Sequence, residues 1–445
     1  MLAFLKNAFP TLRSEQIIDL LLSTANKNAS DYSTEIYGAG LLDLGAAVEY
    51  QSPVAGTSSI FTVKGDDLGS SSYVRLDNAS LVVSSTMADA VKRALPETIT
   101  AFDAYDRPYE YPTASYISTA HGSYKNFKND VNHIIPSRQK QNIQKGNFNL
   151  AFNSGGTDKK PLNFVFAQQT NGNHTNGFYF SENSKYQNIS GRHADLNNPF
   201  MAFNSAYGYT YGYKLNSKLN FNLEVSGGEN GLYDGDYDYN DRRFKKQAYG
   251  FNSGIDYKHT KNLRFGITSG ILHENDALLG TNGENAFALS GGQTYHFGLN
   301  AAWNVKPKWT LSASYYQGYT KAQKFNSGML KTSDLVSSGY AAQLNYAHND
   351  SFNIGFRVSS PLRIEHGNLS VDFASGRDIE TDTVYRNQYN ASLKPQRREY
   401  KFAVYADKQV NDNIALASEF DVRVNPEHRN QSNDYRAIFG LSWAY

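Results

Sequence analysis

The chain reads as mainly β, a transmembrane antiparallel barrel behind a short helical segment, and three observations point there. Period-two alternation recurs along more than half the 445 residues. The apolar face is rich in aromatics, with 32 Tyr and 26 Phe in the chain. No apolar run reaches the roughly 18 residues that a membrane helix needs. A mean hydropathy of -0.57 does not oppose a barrel, because the lumen-facing half of each strand is polar and hides the signal.

The last strand shows the pattern best. Tyr435, Ala437, Phe439, Leu441, Trp443 and Tyr445 share one face, opposed by Arg436, Ile438, Gly440, Ser442 and Ala444. Phe439, Leu441, Trp443 and Tyr445 are therefore the candidate residues by which the end strand is anchored during barrel assembly. Tyr295, Phe297, Leu299 and Trp303 likewise oppose His296, Gly298, Asn300 and Asn304. The alternation is clear from Met201, where Met201, Phe203, Tyr207, Tyr209, Tyr211 and Tyr213 are assigned to one face. Aromatics at strand ends fit girdles at two bilayer interfaces better than the core of a soluble sandwich.

Counting from Met201 gives about twelve strands, including one at Leu369–Phe373. Candidates at 147–153, 161–169 and 176–182 raise the count to fifteen, or sixteen if Pro361 opens a further strand. Short turns alternate with long polar links until Pro361–Asn368, where the alternation breaks. Short turns are expected in the periplasm and long links outside.

Residues 1–50 are different. Leu2–Phe9 is a short helical run stopped by Pro10, and Ser14 is a plausible cap for a helix whose face is Ile17, Ile18, Leu21 and Leu22. Two such helices cannot bury both apolar faces alone, so they read as the end of a larger domain. Met1-Leu-Ala-Phe-Leu-Lys is no export signal. The expectation is a fragment whose true start lies upstream. Between 51 and 145 the pattern mixes a strand at Tyr73–Val83, a helix over 85–95, a strand and turn over Ile99–Tyr109, and a Lys- and Asn-rich stretch from 113.

Charge is nearly balanced, 43 basic against 42 acidic residues, which offers nothing to a nucleic acid. Cysteine is absent, so neither disulfides nor a thiolate site is possible. Asp234, Asp236, Asp238 and Asp241 are spaced like a calcium loop, but Tyr239 and Lys245 occupy positions that need Gly and Glu. They read as a solvated loop. His296 and Arg264 are expected to face the lumen. No cofactor or metal is expected.

Several segments resemble the subtilisin-like serine protease (subtilase) autotransporters. Pro10, Leu12, Gln16, Ile17, Leu21, Thr24 and Ala25, then Tyr37, Gly38, Gly40, Leu41, Asp43, Ala46 and Ala47, match the end of the protease domain in order and spacing. Phe102, Asp103, Arg107 and Tyr109 resemble the linker of those proteins. Ser359–Gly367 resembles their Q-P-L-R-V-x-x-G segment. Leu393–Tyr400 resembles L-x-P-S-G-R-E, with Gln396 and Arg397 in place of Ser-Gly. Asn425–His428 resembles P-G-H, with Glu427 for Gly.

The resemblance implies a protease remnant (1–50), a linker (51–145) and a translocator barrel (146–445). The partners it implies are outer-membrane lipid, the barrel-assembly machinery, periplasmic chaperones and a protease passenger. The family's Asp–His–Ser triad would precede these residues. Gly56-Thr57-Ser58, His121-Gly122-Ser123 and Gly65-Asp66-Asp67-Leu68 echo catalytic motifs, but their order or residues are wrong for a triad, so the chain itself is expected to be inactive. A stand-alone porin or adhesin is the alternative.

Overall fold

The computed structural model describes residues 1–28, 30–63, 73–119, 140–145, 147–153, 163–170, 172–181, 196, 198–201, 203–230, 246–323, 328–349, 351–378, 381, 383–411 and 414–443. The calcium-like loop, Gly65–Leu68, His121–Ser123 and Tyr445 lie outside them, as does most of the Lys- and Asn-rich stretch.

Among the described residues the protein is mainly β and is dominated by one antiparallel sheet of fifteen strands. In order these are Lys140–Lys145, Phe148–Asn153, Asn163–Thr170, His174–Ser181, Phe203–Lys214, Leu219–Asn230, Gln247–Lys258, Leu263–Glu274, Gly292–Lys306, Trp309–Ala322, Leu335–Asn349, Phe352–His366, Tyr400–Gln409, Ile414–Val424 and Asp434–Trp443. Each pairs with the next in this order. Fifteen lies between the twelve and sixteen expected. The first and last strands are not paired with each other among the described residues, so the sheet is that of a barrel wall without a closed seam.

Alternation sorts the side chains as the sequence implies. Tyr295, Phe297, Leu299 and Trp303 are exposed on the outer face, while His296 is buried on the inner one. Other strands repeat this with Phe265 and Ile267, Leu311 and Tyr315, and Phe402 and Val404 outward. In water, so many adjacent exposed aromatics and aliphatics would be costly; in hydrocarbon they are the favourable surface.

Two expectations fail locally. Met201 and Phe203 do not share a face with Tyr207: both are buried inside, and Tyr207 is exposed. Met201 belongs to a 3-10 turn, Pro199–Met201, and the register shifts between Phe203 and Ala206. One extra residue in a period-two element swaps its faces.

The break at Pro361 also has a structural cause. Pro361 sits inside the continuous strand Phe352–His366, and Leu369–Phe373 is not in the main sheet. It belongs to a separate hairpin, Asn368–Asp378 with Thr383–Ser392, joined by Leu330–Thr332. With that hairpin counted as one long link, short and long connections alternate throughout. Short turns such as 215–218, 259–262 and 307–308 mark one mouth, and the long links mark the other.

Residues 1–50 form helices Leu2–Ala8, Ser14–Ser23, Thr34–Tyr37 and Leu44–Val48 around Leu5, Leu12, Ile17, Leu20, Leu21 and Ala47. The cap of the second lies one residue earlier than expected: the Arg13 amide donates to the Gln16 side chain at 2.9 Å, and Ser14 is already helical. Tyr73–Val83 is two short strands, Tyr73–Arg75 and Ser80–Val83, divided at Asn78, whose φ of 58° suits a turn.

A charge on the outer face tests the membrane reading. Leu299→Arg is expected to cost about 2–4 kcal/mol of stability in lipid vesicles, with a much smaller loss for the inward Ser312→Arg. Urea titration of vesicle-folded protein measures both, and equal losses would contradict the assignment of faces.

Candidate functional site at the long-loop mouth

The largest buried apolar cluster is not within the sheet's mid-section but at the long-loop mouth. Leu81, Val83, Ala90, Val91 and Ala94 from residues 51–145, the expected linker, meet Phe200, Phe203, Leu272, Phe287, Leu335, Ile364 and Leu369 there. The helix Ala88–Ala94 is amphipathic: Ala88, Ala90, Val91 and Ala94 are buried, and Asp89, Lys92 and Arg93 point away from the core. Arg93 donates to the carbonyls of Ser392 and Lys394, both at 3.2 Å, at the foot of the 368–392 hairpin.

The linker is also woven in by strand pairing. Ser80–Val83 pairs antiparallel with Thr281–Glu284 of a long link and parallel with Ile117–Thr119. The helix expected over 85–95 therefore stands at this mouth, shortened to 88–94.

Three segments far apart in sequence converge beside it. Arg363 donates to the carbonyls of Pro395 (2.7 Å) and Arg397 (3.1 Å) and pairs with Glu365. Arg398 pairs with Glu365 and reaches the Ser360 hydroxyl at 3.0 Å. Glu399, buried, receives Arg423 through both oxygens at 2.7 and 3.0 Å, and one of those oxygens also accepts the Glu427 amide at 2.7 Å. Apart from Arg423, these residues lie in Ser359–Gly367, Leu393–Tyr400 and Asn425–His428, three segments that carry the resemblance.

His428 ties the knot. Its Nδ1 accepts the Glu399 amide at 2.9 Å, so its Nε2 carries the proton and donates to the Leu362 carbonyl at 2.9 Å. Burial, only partly offset by the Glu399 carboxylate, pushes its pKa down to about 4. Glu427, at the position where the resembling pattern has Gly, is held at φ 56°, a conformation that favours glycine. Its carboxylate meets Arg429 at 3.0 Å, a pairing that glycine could not supply.

A second ionic joint fastens residues 1–50 to the linker hairpin Thr98–Phe102 with Pro108–Pro112. Arg107 and Asp103 are fully buried and 2.6 Å apart. Arg107 also donates to the carbonyls of Ala47 (2.6 Å) and Glu49 (2.8 Å), capping the helix Leu44–Val48, and lies over the Phe9 ring at 4.6 Å. A guanidinium suits a helix C-terminus through its unpaired carbonyls and dipole. Tyr105 extends the joint, its hydroxyl donating to Asp19 at 2.8 Å.

The end-strand candidates stay apart from this mouth. Phe439 and Leu441 are outward, 80% and 59% exposed, on a strand paired on one side only. Trp443 pairs through its backbone with Ile414, beside a short turn. Arg264 is exposed near the same end. Sequence reasoning missed the convergence because contacts spanning 24 to 66 residues leave no periodic trace.

Two outcomes test these joints. Arg107→Ala leaves the Asp103 carboxylate buried without its charge partner, which costs about 3–5 kcal/mol. Limited proteolysis should then release residues 1–50 from an otherwise intact barrel. At His428 the folded pKa lies below the unfolded value near 6.5, so the stability held by neutral imidazole is complete above about pH 6.5 and is lost toward pH 4, by roughly 1.4 kcal/mol per pH unit. Hydrogen exchange around 425–428 should speed up over that window in wild type and lose the pH dependence in His428→Gln.

No family model matches the chain, and no curated protein matches it in sequence. Among solved structures it is similar to OmpT of Vibrio cholerae, with 9% identity and a TM-score of 0.34 over 68% of this chain and 98% of that one. A porin gives 10% identity and a TM-score of 0.36 over 67% and 92%. An outer membrane channel from Pseudomonas putida F1 gives 10% and 0.33 over 70% and 100%. The barrel-wall assignment rests on the sheet and its faces.

Proposed function

We propose that this chain is the translocator of an autotransporter in a Gram-negative outer membrane, exporting or anchoring a subtilisin-like serine endopeptidase passenger. The supporting observation is sidedness. An odd number of strands leaves the two ends of the sheet at opposite mouths. Asp434–Trp443 ends at the short-turn mouth, and the segments before the sheet gather at the long-loop mouth. With short turns periplasmic, the helices of residues 1–50 stand on the cell surface.

The uncovered apolar residues of those helices support a passenger. Leu2, Phe4, Ile18, Leu22, Ile36, Leu41 and Leu42 are all exposed, next to a core built from only a few side chains. A protease domain continuing from this unit would cover them. The catalytic triad belongs to that passenger, and this chain serves as its carrier. Phe439, Leu441, Trp443 and Tyr445 then act in insertion, read by the barrel-assembly machinery after delivery by periplasmic chaperones, with outer-membrane lipid as the medium.

A porin with vestigial helices is the competing reading, and the occupied mouth speaks against it. In planar bilayers the whole chain should conduct little, and deletion of 73–119 should raise conductance severalfold. A steady open channel from the whole chain would favour the porin. Sidedness can be read directly, since the chain has no cysteine. Single cysteines at Ser30 and at Lys261 should be labelled by an impermeant maleimide in intact cells and only after permeabilisation, respectively. The reverse pattern would overturn the proposal. Tyr445→Ser should reduce outer-membrane insertion.

A further inference from the structure

Inside the wall, below the linker, Asn198 and the 3-10 turn Pro199–Met201 fold inward against the sheet. Phe200 lies over Gly318 and Met201 over Gly250, each within about 3 Å of where a Cβ would stand. Tyr316 donates its hydroxyl to the Leu196 carbonyl at 3.2 Å. His296 is the contact of interest. Its ring is 2% exposed and stacks on Phe200, with centroids 5.2 Å apart and planes at 12°.

The Asn198 amide has its orientation fixed from the other side, because its Oδ1 accepts the Phe200 amide at 3.0 Å. Its Nδ2 must therefore present hydrogens to His296 Nδ1, 3.2 Å away. That contact needs an unprotonated Nδ1. The proton then resides on Nε2, which has no hydrogen-bond partner among the described residues. Gly270 leaves the room for that edge of the ring: a Cβ there would stand 2.7 Å from Nε2.

We infer that Asn198 and His296 form a proton-sensitive latch holding the Pro199–Met201 constriction in the lumen. Protonation of Nδ1 sets two donors against each other. The amide cannot flip to offer oxygen without giving up the Phe200 amide, so either the turn or the stack must open. A buried imidazolium with an unpartnered Nε2–H adds desolvation cost in the same direction.

Other ionisable groups on the surrounding elements are otherwise engaged. Tyr316 is the inward-facing titratable side chain on the strand Trp309–Ala322, whose Tyr315, Tyr319 and Lys321 face outward. Glu274 on Leu263–Glu274 is held by the amides of Leu279 and Gly280. Glu224, two strands beyond Gly270, receives the Tyr179 hydroxyl at 2.7 Å. On its own strand the inward neighbours Thr294 and Gly298 carry no charge.

The test is hydrogen exchange at the Phe200 amide of the whole chain in lipid vesicles, corrected for intrinsic rates. Between pH 7.5 and 5 the protection should fall about tenfold. His296→Gln, which can accept from Asn198 in a neutral form, should keep the amide protected and pH-independent. Asn198→Asp should reverse the slope, because a carboxylate accepts from both the Phe200 amide and an imidazolium. A flat wild-type profile, or the wild-type slope persisting in either variant, overturns the latch. Should His296→Gln fail to fold, the Asn198→Asp profile decides alone.

Discussion

The structure depends on one constraint: in hydrocarbon, every backbone N–H and C=O must find its partner within the protein. A meander of strands, each bonded to the next in sequence, meets it with the least chain. That ladder explains why the outer face can be Phe, Tyr, Leu and Trp on strand after strand, since with the backbone paired only side chains meet the lipid. It also gives every defect a local cause. The bulge before Ala206 turns Phe203 to the inner face, and the 3-10 turn Pro199–Met201 packs inside beside it.

Once the wall is paired, the polar side chains inside it must be matched one by one. The answer at the long-loop mouth is a set of interlocked ion pairs. Glu399 is shared by Arg423, Glu427 and His428, and Glu365 is shared by Arg363, which also reaches the carbonyls of Pro395 and Arg397, and by Arg398, which also reaches the Ser360 hydroxyl. Such groups add little net stability compared with apolar packing, but removing any one strands the others in a buried place. Their benefit is geometric. They set the hairpin Asn368–Ser392 where Arg93 can reach its foot, and so seat the linker helix in the mouth. The Arg107–Asp103 joint repeats the device one layer further out, with helix carbonyls as additional acceptors.

The fold was legible because alternation is a local property. Tyr295 to Trp303 and Tyr435 to Leu441 announce their faces through their own neighbours, and the structure places them accordingly. The strand count was less legible at Leu369–Phe373, whose alternation is real but whose partner is Thr383–Ser392 outside the main sheet. Period two identifies a strand and does not say which sheet receives it. The site was read as fragments. Each of the three converging segments was noticed on its own, yet nothing in the sequence said that His428 would bond Leu362 or that Arg363 would reach Pro395.

By itself the sequence determined that this chain builds a lipid-facing antiparallel wall with a small helical unit ahead of it, because side-chain period and composition act over two to ten residues. Only the tertiary structure decided the rest: fifteen strands among the described residues with the two ends of the sheet at opposite mouths, residues 80–94 packed at one of them, and a buried histidine in contact with a single amide. Those depend on which distant residues share a buried, low-dielectric space, where one unpaired group costs more than any local preference can return.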